Sequence, residues 1–267
     1  MVYPISFPNL NLTFNINPVA ISIFDINIYW YGIIIVSSIL IGLFLAKKFD
    51  GTYGIKYDDV FDFALIALFL GIICARAYYV IFKLDYYKMH PKEIFMIWNG
   101  GLAIYGGIIG GVIAAIFFCK KRKISFLNLA DYIIPYLSLG QAMGRWGNFI
   151  NQEAYGSLTE SFLKMQIFDK NIGKYVNVHP TFLYESIIDI ALFAILMYLR
   201  KKRKFKGQLL YTYLIVYGAG RAIVEGLRTD SLMIENFRVS QILSVILMTF
   251  GLIAYILAKN VDEKSFK

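Results

Sequence analysis

The stretch Leu129-Ala-Asp-Tyr-Ile-Ile-Pro-Tyr-Leu-Ser-Leu-Gly-Gln-Ala-Met143 runs without a break into Gly144-Arg-Trp-Gly-Asn-Phe-Ile-Asn-Gln-Glu-Ala-Tyr-Gly156. The first half reads as membrane-spanning, and the second half places Arg145, Asn148, Asn151 and Glu153 directly after it. Charged and amide side chains are costly at that depth, and they persist mainly where they pair with one another or line a polar cavity. The stretch therefore sets two expectations together: a helical fold embedded in a membrane, and a polar site at the end of one of its helices.

The rest of the chain agrees with the first expectation. Of 267 residues 58% are apolar and 17% charged, and the mean hydropathy is positive, a composition that does not describe a water-soluble surface. Crossing a hydrocarbon core of roughly 30 Å takes about 20 apolar residues. Such runs lie at 26–46, 60–82, 101–119, 129–143, 181–199, 208–227 and 239–258, the fourth being the shortest. The expected fold is an all-α integral membrane protein of about seven transmembrane helices. It forms one polytopic domain over 1–267, with a small extracytoplasmic cap built by outer loops and centred on 153–179. A second outer segment, 83–98, mixes Tyr86, Tyr87, Phe95 and Trp98 with charges and reads as interfacial.

The net charge of +9 sits in short blocks at helix ends: Lys47 and Lys48, 120–123, and 200–204. That placement is topogenic and puts the amino terminus outside and the carboxyl terminus in the cytoplasm. The blocks suit anionic lipid; no nucleic-acid partner is expected. Residues 1–25 lack a basic n-region and a cleavage site, so the first helix is expected to stay in the mature protein. Cys74 and Cys119 fall inside spans, and with His90 and His179 the only histidines, no metal-ligand spacing arises. Neither metal nor cofactor is expected, which leaves Arg, Tyr, Glu, Asn and one His to carry any chemistry.

Arg145, Asn148 and Asn151 follow at i, i+3, i+6, neighbouring positions on one side of a helix. A guanidinium fork with two amides matches a phosphodiester and its glycerol hydroxyls; the plainer reading is a capped helix end paired to Glu153. Tyr217, Arg221, Glu225 and Arg228 recur at i, i+4, i+8, i+11 and occupy an arc of roughly 80°, a polar stripe with net positive charge, or else an intrahelical pair facing the bundle. Arg76 is either a second phosphate contact or a bundle ion pair with Asp62 or Glu185. Gly106/Gly110 and Gly107/Gly111 form overlapping Gly-x-x-x-Gly steps suited to close helix packing, with Tyr105 beside them. His179-Pro-Thr-Phe-Leu-Tyr-Glu185 opens the fifth span, as a helix start or as the rim of a site. Tyr31 lies in an aromatic belt, Tyr29 to Tyr31, at the outer end of the first span.

The pattern G-R-x-G-N-F-x-N-x-E-x-x-G of 144–156 resembles the signature of the bacterial phosphatidylglycerol–prolipoprotein diacylglyceryl transferases. Trp30-Tyr31-Gly32, Arg76, Gly100-Gly101, Gly106-Gly107, His179-Pro180, Tyr184-Glu185, Tyr217-Gly218, Arg221, Glu225 and Gln241 also stand in the family order. The resemblance implies a plasma-membrane enzyme that transfers the diacylglyceryl unit of phosphatidylglycerol to the lipobox cysteine of a prolipoprotein. A thioether forms and glycerol phosphate leaves on the outer side. It implies catalytic roles for Arg145, Arg221, Tyr105, Glu153 and Glu225, and substrate contacts from Arg145, Asn148, Asn151, Gly156, Tyr31, Tyr217, Arg76 and His179. The partners are then phosphatidylglycerol, the prolipoprotein signal peptide and the bilayer.

One position departs from the family: many members carry His where this chain has Tyr105. A phenol with a pKa of about 10 is a poor base at neutral pH unless nearby cations stabilise the phenolate. Tyr105 is either such a phenolate near Arg145 and Arg221 or, as expected here, a residue that orients substrate, while the arginines stabilise a thiolate. Three rival readings fit less well. A secondary transporter should show repeated halves, a scaffold has little use for buried charges, and an alcohol phosphotransferase needs a metal-binding array of aspartates.

Overall fold

A computed structural model describes residues 3–24, 26–169, 172–235 and 237–265. Among the described residues eight α-helices carry the fold: α1 (Trp30–Lys47), α2 (Tyr57–Phe82), α3 (Leu84–Met89), α4 (Ile104–Arg122), α5 (Phe126–Asn151), α6 (Thr181–Arg200), α7 (Gln208–Glu225) and α8 (Val239–Ser265). Short strands occupy several connections: β1 (Ile5–Phe7), β2 (Leu12–Phe14), β3 (Val19–Ile23), β4 (Ile26–Tyr29), β5 (Met165–Asp169), β6 (Lys174–Val178), β7 (Met233–Ile234) and β8 (Phe237–Arg238). The chain divides into two compact units, Met1–Phe44 with Ile133–Lys267, and Leu45–Tyr132.

Five helices, α1, α2, α4, α6 and α8, are long and apolar enough to cross a membrane. Their outward faces carry uncovered apolar side chains, among them Leu40 and Phe44 on α1 and Phe69 on α2, a surface a soluble monomer rarely presents. The chain is a multi-pass membrane protein. The helices at 129–143 and 208–227 exist, as α5 and α7, but they fall outside that apolar set because they carry the polar residues noted above.

In the unit formed by Leu45–Tyr132, α2 and α4 lie backbone against backbone. A Cβ built on Gly106 would collide with the Cys74 carbonyl and lie 2.7 Å from Ala75 Cα; one on Gly110 would lie 2.5 Å from the Leu70 carbonyl oxygen. Gly107 and Gly111 face open space or ordinary contact distance, so only one of the two expected glycine steps makes the packing. The pair is closed at one end by charge. Asp58 and Asp59 lie in the first turn of α2, Lys120, Lys121 and Arg122 in the last of α4, each matching the helix dipole, and Arg122 pairs with Asp62 and, at 3.8 Å, Asp59.

In the larger unit α1 packs along α5 through small residues. Tyr31 lies on Gly147, Ile35 on Gly144, Ser38 near Gly140, and Gly42 on Tyr136. The glycines of the signature therefore serve helix contact, which fixes where its polar residues point.

Segments expected to be loops are β-structure, so the all-α expectation holds for the spans only. The outer segment folds as the antiparallel hairpin β5–β6, with Met165 opposite Val178 and Asp169 opposite Lys174; Lys170, part of that segment, lies outside the described residues. β1 joins it through Ser6 and Gln166, completing a sheet of order β2-β1-β5-β6. Ile5, Phe7, Met165, Ile167 and Val178 pack with Phe149 of α5 and Phe182 of α6. Alternation in β1 and β5 sends every second residue to this core, and the sheet thereby rests on the ends of the two helices that carry the polar signature.

Candidate active site

α5 continues through the signature and ends at Asn151, so Arg145 and Asn148 project from regular helix. After it the chain takes two left-handed residues that are not glycine, Gln152 (φ 55°) and Ala154 (φ 57°), a conformation that costs of order 1–3 kcal/mol each. Long-range bonds hold the turn. Gln152 Nε2 donates to the Tyr3 carbonyl (2.8 Å), Thr181 Oγ1 to the Ala154 carbonyl (2.6 Å), the Gly156 amide to the His179 carbonyl (3.0 Å) and the Ser157 amide to the Leu227 carbonyl (2.7 Å). Gly156 is required by space: a Cβ there would lie 2.6 Å from His179 Cβ. Strain at this turn is thus borne by contacts to the sheet, α6 and the segment after α7.

The centre of the site is Glu185, one turn into α6 and 5% exposed. Its Oε2 forms an ion pair with Arg145 Nε at 2.6 Å, and its Oε1 pairs with Arg221 Nη1. Arg221 Nη2 meets Glu225 Oε2 at 2.5 Å, and Arg238 donates to the Glu225 carbonyl. Three helices each send charge to one point: α5 through Arg145, α6 through Glu185, and α7 through Arg221 and Glu225. Arg145 uses only Nε in this chain of pairs; among the described residues its two Nη groups have no hydrogen-bond partner, leaving the planar end of the fork open.

A small cavity of about 10 Å³ adjoins this network, lined by Arg145, Glu185, Asp189, Tyr217 and Arg221. Tyr217 stacks on Tyr213, rings 5.1 Å apart and nearly parallel, and Tyr213 Oη donates to Gln141 Oε1 (2.9 Å). Asp189, one turn below Glu185, is 2% exposed and its Oδ2 has no hydrogen-bond partner.

The amides form a neighbouring cluster. Asn148 Nδ2 (2.9 Å) and Asn151 Nδ2 (3.3 Å) both donate to Glu153 Oε1. Of the two acids the sequence offered to fix the arginines, Glu225 pairs with Arg221 and Glu153 receives the amides instead; the carboxylate between the arginines is Glu185. Its position in an apolar span beside Tyr184 was visible, but its role as a bridge depends on how three helices meet. Asp189 was missed altogether, although an acid at i+4 from Glu185 inside an apolar run was signal enough.

The other expected residues divide. Tyr31 covers Gly147, one turn-face from Arg145. His179 holds Gly156, and its Nδ1 lies 3.3 Å from Tyr184 Oη, so it belongs to the wall of the turn. Arg228 is not on the α7 stripe: the helix stops at Glu225, and Arg228 forms a two-pronged pair with Asp230 at 2.9 and 2.6 Å.

Arg76 and Tyr105 belong to the smaller unit. Among the described residues Arg76 makes no ion pair. Its guanidinium donates to four backbone carbonyls: Glu93 (2.5 Å), Ile94 (2.8 Å), Gly100 (2.8 Å) and Gly101 (3.0 Å). It clamps the connection between α3 and α4, in which Gly100 and Gly101 both have positive φ; a buried arginine satisfied by carbonyls alone does without a counter-charge at the donor atoms. Tyr105 is half-buried at the start of α4, its ring 6.4 Å from that of Tyr78.

The sequence pattern described as prolipoprotein diacylglyceryl transferase matches residues 18–257. A phosphatidylglycerol–prolipoprotein diacylglyceryl transferase of Clostridioides difficile (strain 630) is 45% identical over 238 residues, 89% of this chain and 94% of the relative. One of Bacillus velezensis is 46% identical over 248 residues, 90% of this chain and 92% of the relative. One of Clostridium novyi (strain NT) is 44% identical over 256 residues, 94% of this chain and 99% of the relative. Matches of this identity along nearly the whole length of both partners place the paired arginines in a known setting: the chain belongs to the prolipoprotein diacylglyceryl transferase family.

Proposed function

We propose that this protein transfers the diacylglyceryl group of phosphatidylglycerol to the lipobox cysteine of prolipoproteins, the first step of lipoprotein maturation. A thioether forms and glycerol phosphate is released. The observation that carries this reading is the convergence of Arg145 and Arg221 on one carboxylate, with the Nη end of Arg145 open. The two arginines already share the two oxygens of Glu185, which supports their pairing with a phosphodiester, an anion that also presents two such oxygens.

In this reading Arg145 and Arg221 hold the phosphate and neutralise charge as the glyceryl C–O bond breaks. Donors fixed in a water-poor site are worth more than donors in bulk. Glu185 and Glu225 keep the arginines in place when substrate is absent. Asn148 and Asn151, already set side by side on Glu153, orient the glycerol. Tyr31, Tyr217, Gly156 and His179 shape the walls, and Tyr105 orients substrate; Arg76, with four of its five N–H donors on backbone carbonyls, supports the fold.

We read the chain as a single polytopic domain of seven spans, with α5 and α7 as the two polar ones. The β-sheet forms an outer cap, the amino terminus lies outside, and the carboxyl terminus is in the cytoplasm of a bacterial plasma membrane. The acyl chains stay in lipid while the signal peptide, itself a membrane helix, approaches sideways. Incubating purified protein with phosphatidylglycerol and a lipobox peptide should yield a peptide carrying diacylglyceryl on its cysteine, read by mass spectrometry. An unmodified cysteine after prolonged incubation, with a verified relative active in parallel, would exclude the reading.

A further inference from the structure

We propose that Asp189 accepts the proton of the lipobox thiol, a role that rests on the transferase reading of this site. A general base needs a lone pair not already committed to a donor, placed where the reacting atom arrives. The acidic and basic groups around the arginines fail this condition one after another. Glu185 spends one oxygen on each guanidinium. Glu225 Oε2, like Asp189 Oδ2, has no hydrogen-bond partner, but it lies 2.5 Å from Arg221 Nη2 and does not line the cavity. Glu153 receives two amide donors, and His179 Nδ1 lies against Tyr184 Oη.

Asp189 meets it. The carboxylate is nine-tenths and more buried, its Oδ2 has no hydrogen-bond partner, and it lines the small cavity whose other polar walls are Arg145, Glu185, Tyr217 and Arg221. The backbone there is pinned, since Ser138 Oγ donates to the Asp189 carbonyl at 2.8 Å. The charged and titratable groups facing it are Arg145 of α5, Glu185 of its own helix, and Tyr213, Tyr217 and Arg221 of α7. Glu185 and Glu225 already balance the two arginines, so the third acid is not needed to neutralise them.

The step balances without another reactant. The thiol proton passes to Asp189 Oδ2 and the sulfur lone pair attacks the glyceryl methylene carbon. The C–O bond breaks with its electron pair going to the phosphate oxygen, and glycerol phosphate forms against Arg145 and Arg221. Asp189 then returns its proton to the departing phosphate or to water. This assignment supplies the base that Tyr105 is poorly suited to provide.

The test compares Asp189→Asn with the unaltered protein on two peptides, one with cysteine in the lipobox and one with selenocysteine, whose selenol is already ionised at neutral pH. With the cysteine peptide the variant should turn over roughly 100-fold more slowly, the usual scale of a general-base contribution, with phosphatidylglycerol binding unchanged. Its rate should climb with pH toward the thiol's own ionisation at about 8.5. With the selenocysteine peptide most of the loss should disappear. Full activity of Asp189→Asn on cysteine, or an equal loss on both peptides, would overturn the proposal. Should the variant not fold, the unaltered protein still decides: the acidic limb of its pH–rate profile should be present for cysteine and absent for selenocysteine, and the same limb for both would sink the idea. If the unaltered protein modifies neither peptide, it is the transferase reading that has failed.

Discussion

The α2–α4 pair and the α5–α6–α7 group solve the same problem, holding long helices together where hydrophobic burial gives little help, by opposite means. In the first, Gly106 and Gly110 remove side chains so that backbones touch, and attraction comes from dispersion over a close fit. In the second, Arg145, Glu185, Arg221 and Glu225 join the helices by charge. Buried ion pairs gain little net stability over apolar packing, because desolvation offsets most of the attraction, yet breaking one by removing a single partner is severe. The second group is therefore arranged for what it can bind. The difference teaches that polarity inside these helices marks the site, and smallness marks the scaffold.

The largest expected effect strikes the charged group. Arg145→Lys keeps the charge but loses the planar fork, and lipidation should fall by roughly 100-fold or more, the scale seen when one preorganised donor is removed, while the protein still inserts. Near-normal turnover would show that Arg145 is structural and that the two regions differ less than argued. Glu185→Gln removes the shared carboxylate and leaves two buried guanidiniums facing each other. It should lower stability by about 3–5 kcal/mol, read as a lower midpoint of thermal unfolding in detergent.

A smaller effect separates the two glycine steps. Gly106→Ala forces a methyl into the Cys74 carbonyl and the Ala75 backbone, and overpacking of this kind costs about 1–3 kcal/mol. Gly107→Ala, whose nearest neighbours would lie at 3.9 Å, should be neutral or slightly stabilising, because alanine is the better helix former by up to about 1 kcal/mol. Equal destabilisation of both would break the claim that one step alone makes the contact.

The smallest effect lies outside the membrane. Burial works against the charge on Asp230, but the Arg228 fork outweighs it and holds the carboxyl below the ordinary range. A lowered folded value means that the pair's contribution is complete above the unfolded carboxylate value of about 3.9 and is lost as pH falls through the folded value. Since Asp230 is half exposed, the contribution should stay within about 1 kcal/mol. Asp230→Asn should lower the unfolding midpoint slightly at neutral pH and cease to differ from the unaltered protein in strong acid; an equal difference at both would place the effect elsewhere.

Much of this was legible in the chain itself. Apolar runs located the helices to within a few residues at most ends, because length and hydropathy are local properties. The family signature named Arg145, Asn148 and Asn151, and the family order along the chain named Arg221 and Glu225. Three readings failed for one kind of reason. Arg76 looked like a charge seeking a counter-charge, but its donors are met by carbonyls of a connection 17 to 25 residues away. Of the two acids read as partners of the arginines, Glu225 is one, but Glu153, near Arg145 in sequence, is not, while Glu185, 36 residues from Arg221, joins both arginines. The segment 165–178 looked like a loop because its strands are short and β1, the strand that joins it, lies about 160 residues away along the chain.

What the sequence alone determined is therefore what a residue and its near neighbours decide. It set which segments are apolar enough to leave water, which helix faces are polar, and which family order the fixed positions follow. What only the tertiary structure decided is pairing: that β1 reaches β5, that Gly106 and not Gly107 meets a backbone, that Glu185 joins two arginines, and that Asp189 is left with an uncommitted oxygen. A polar group's chemistry depends on which donors and charges surround it, and at membrane depth those come from other helices, whose approach is fixed by packing that no local pattern records.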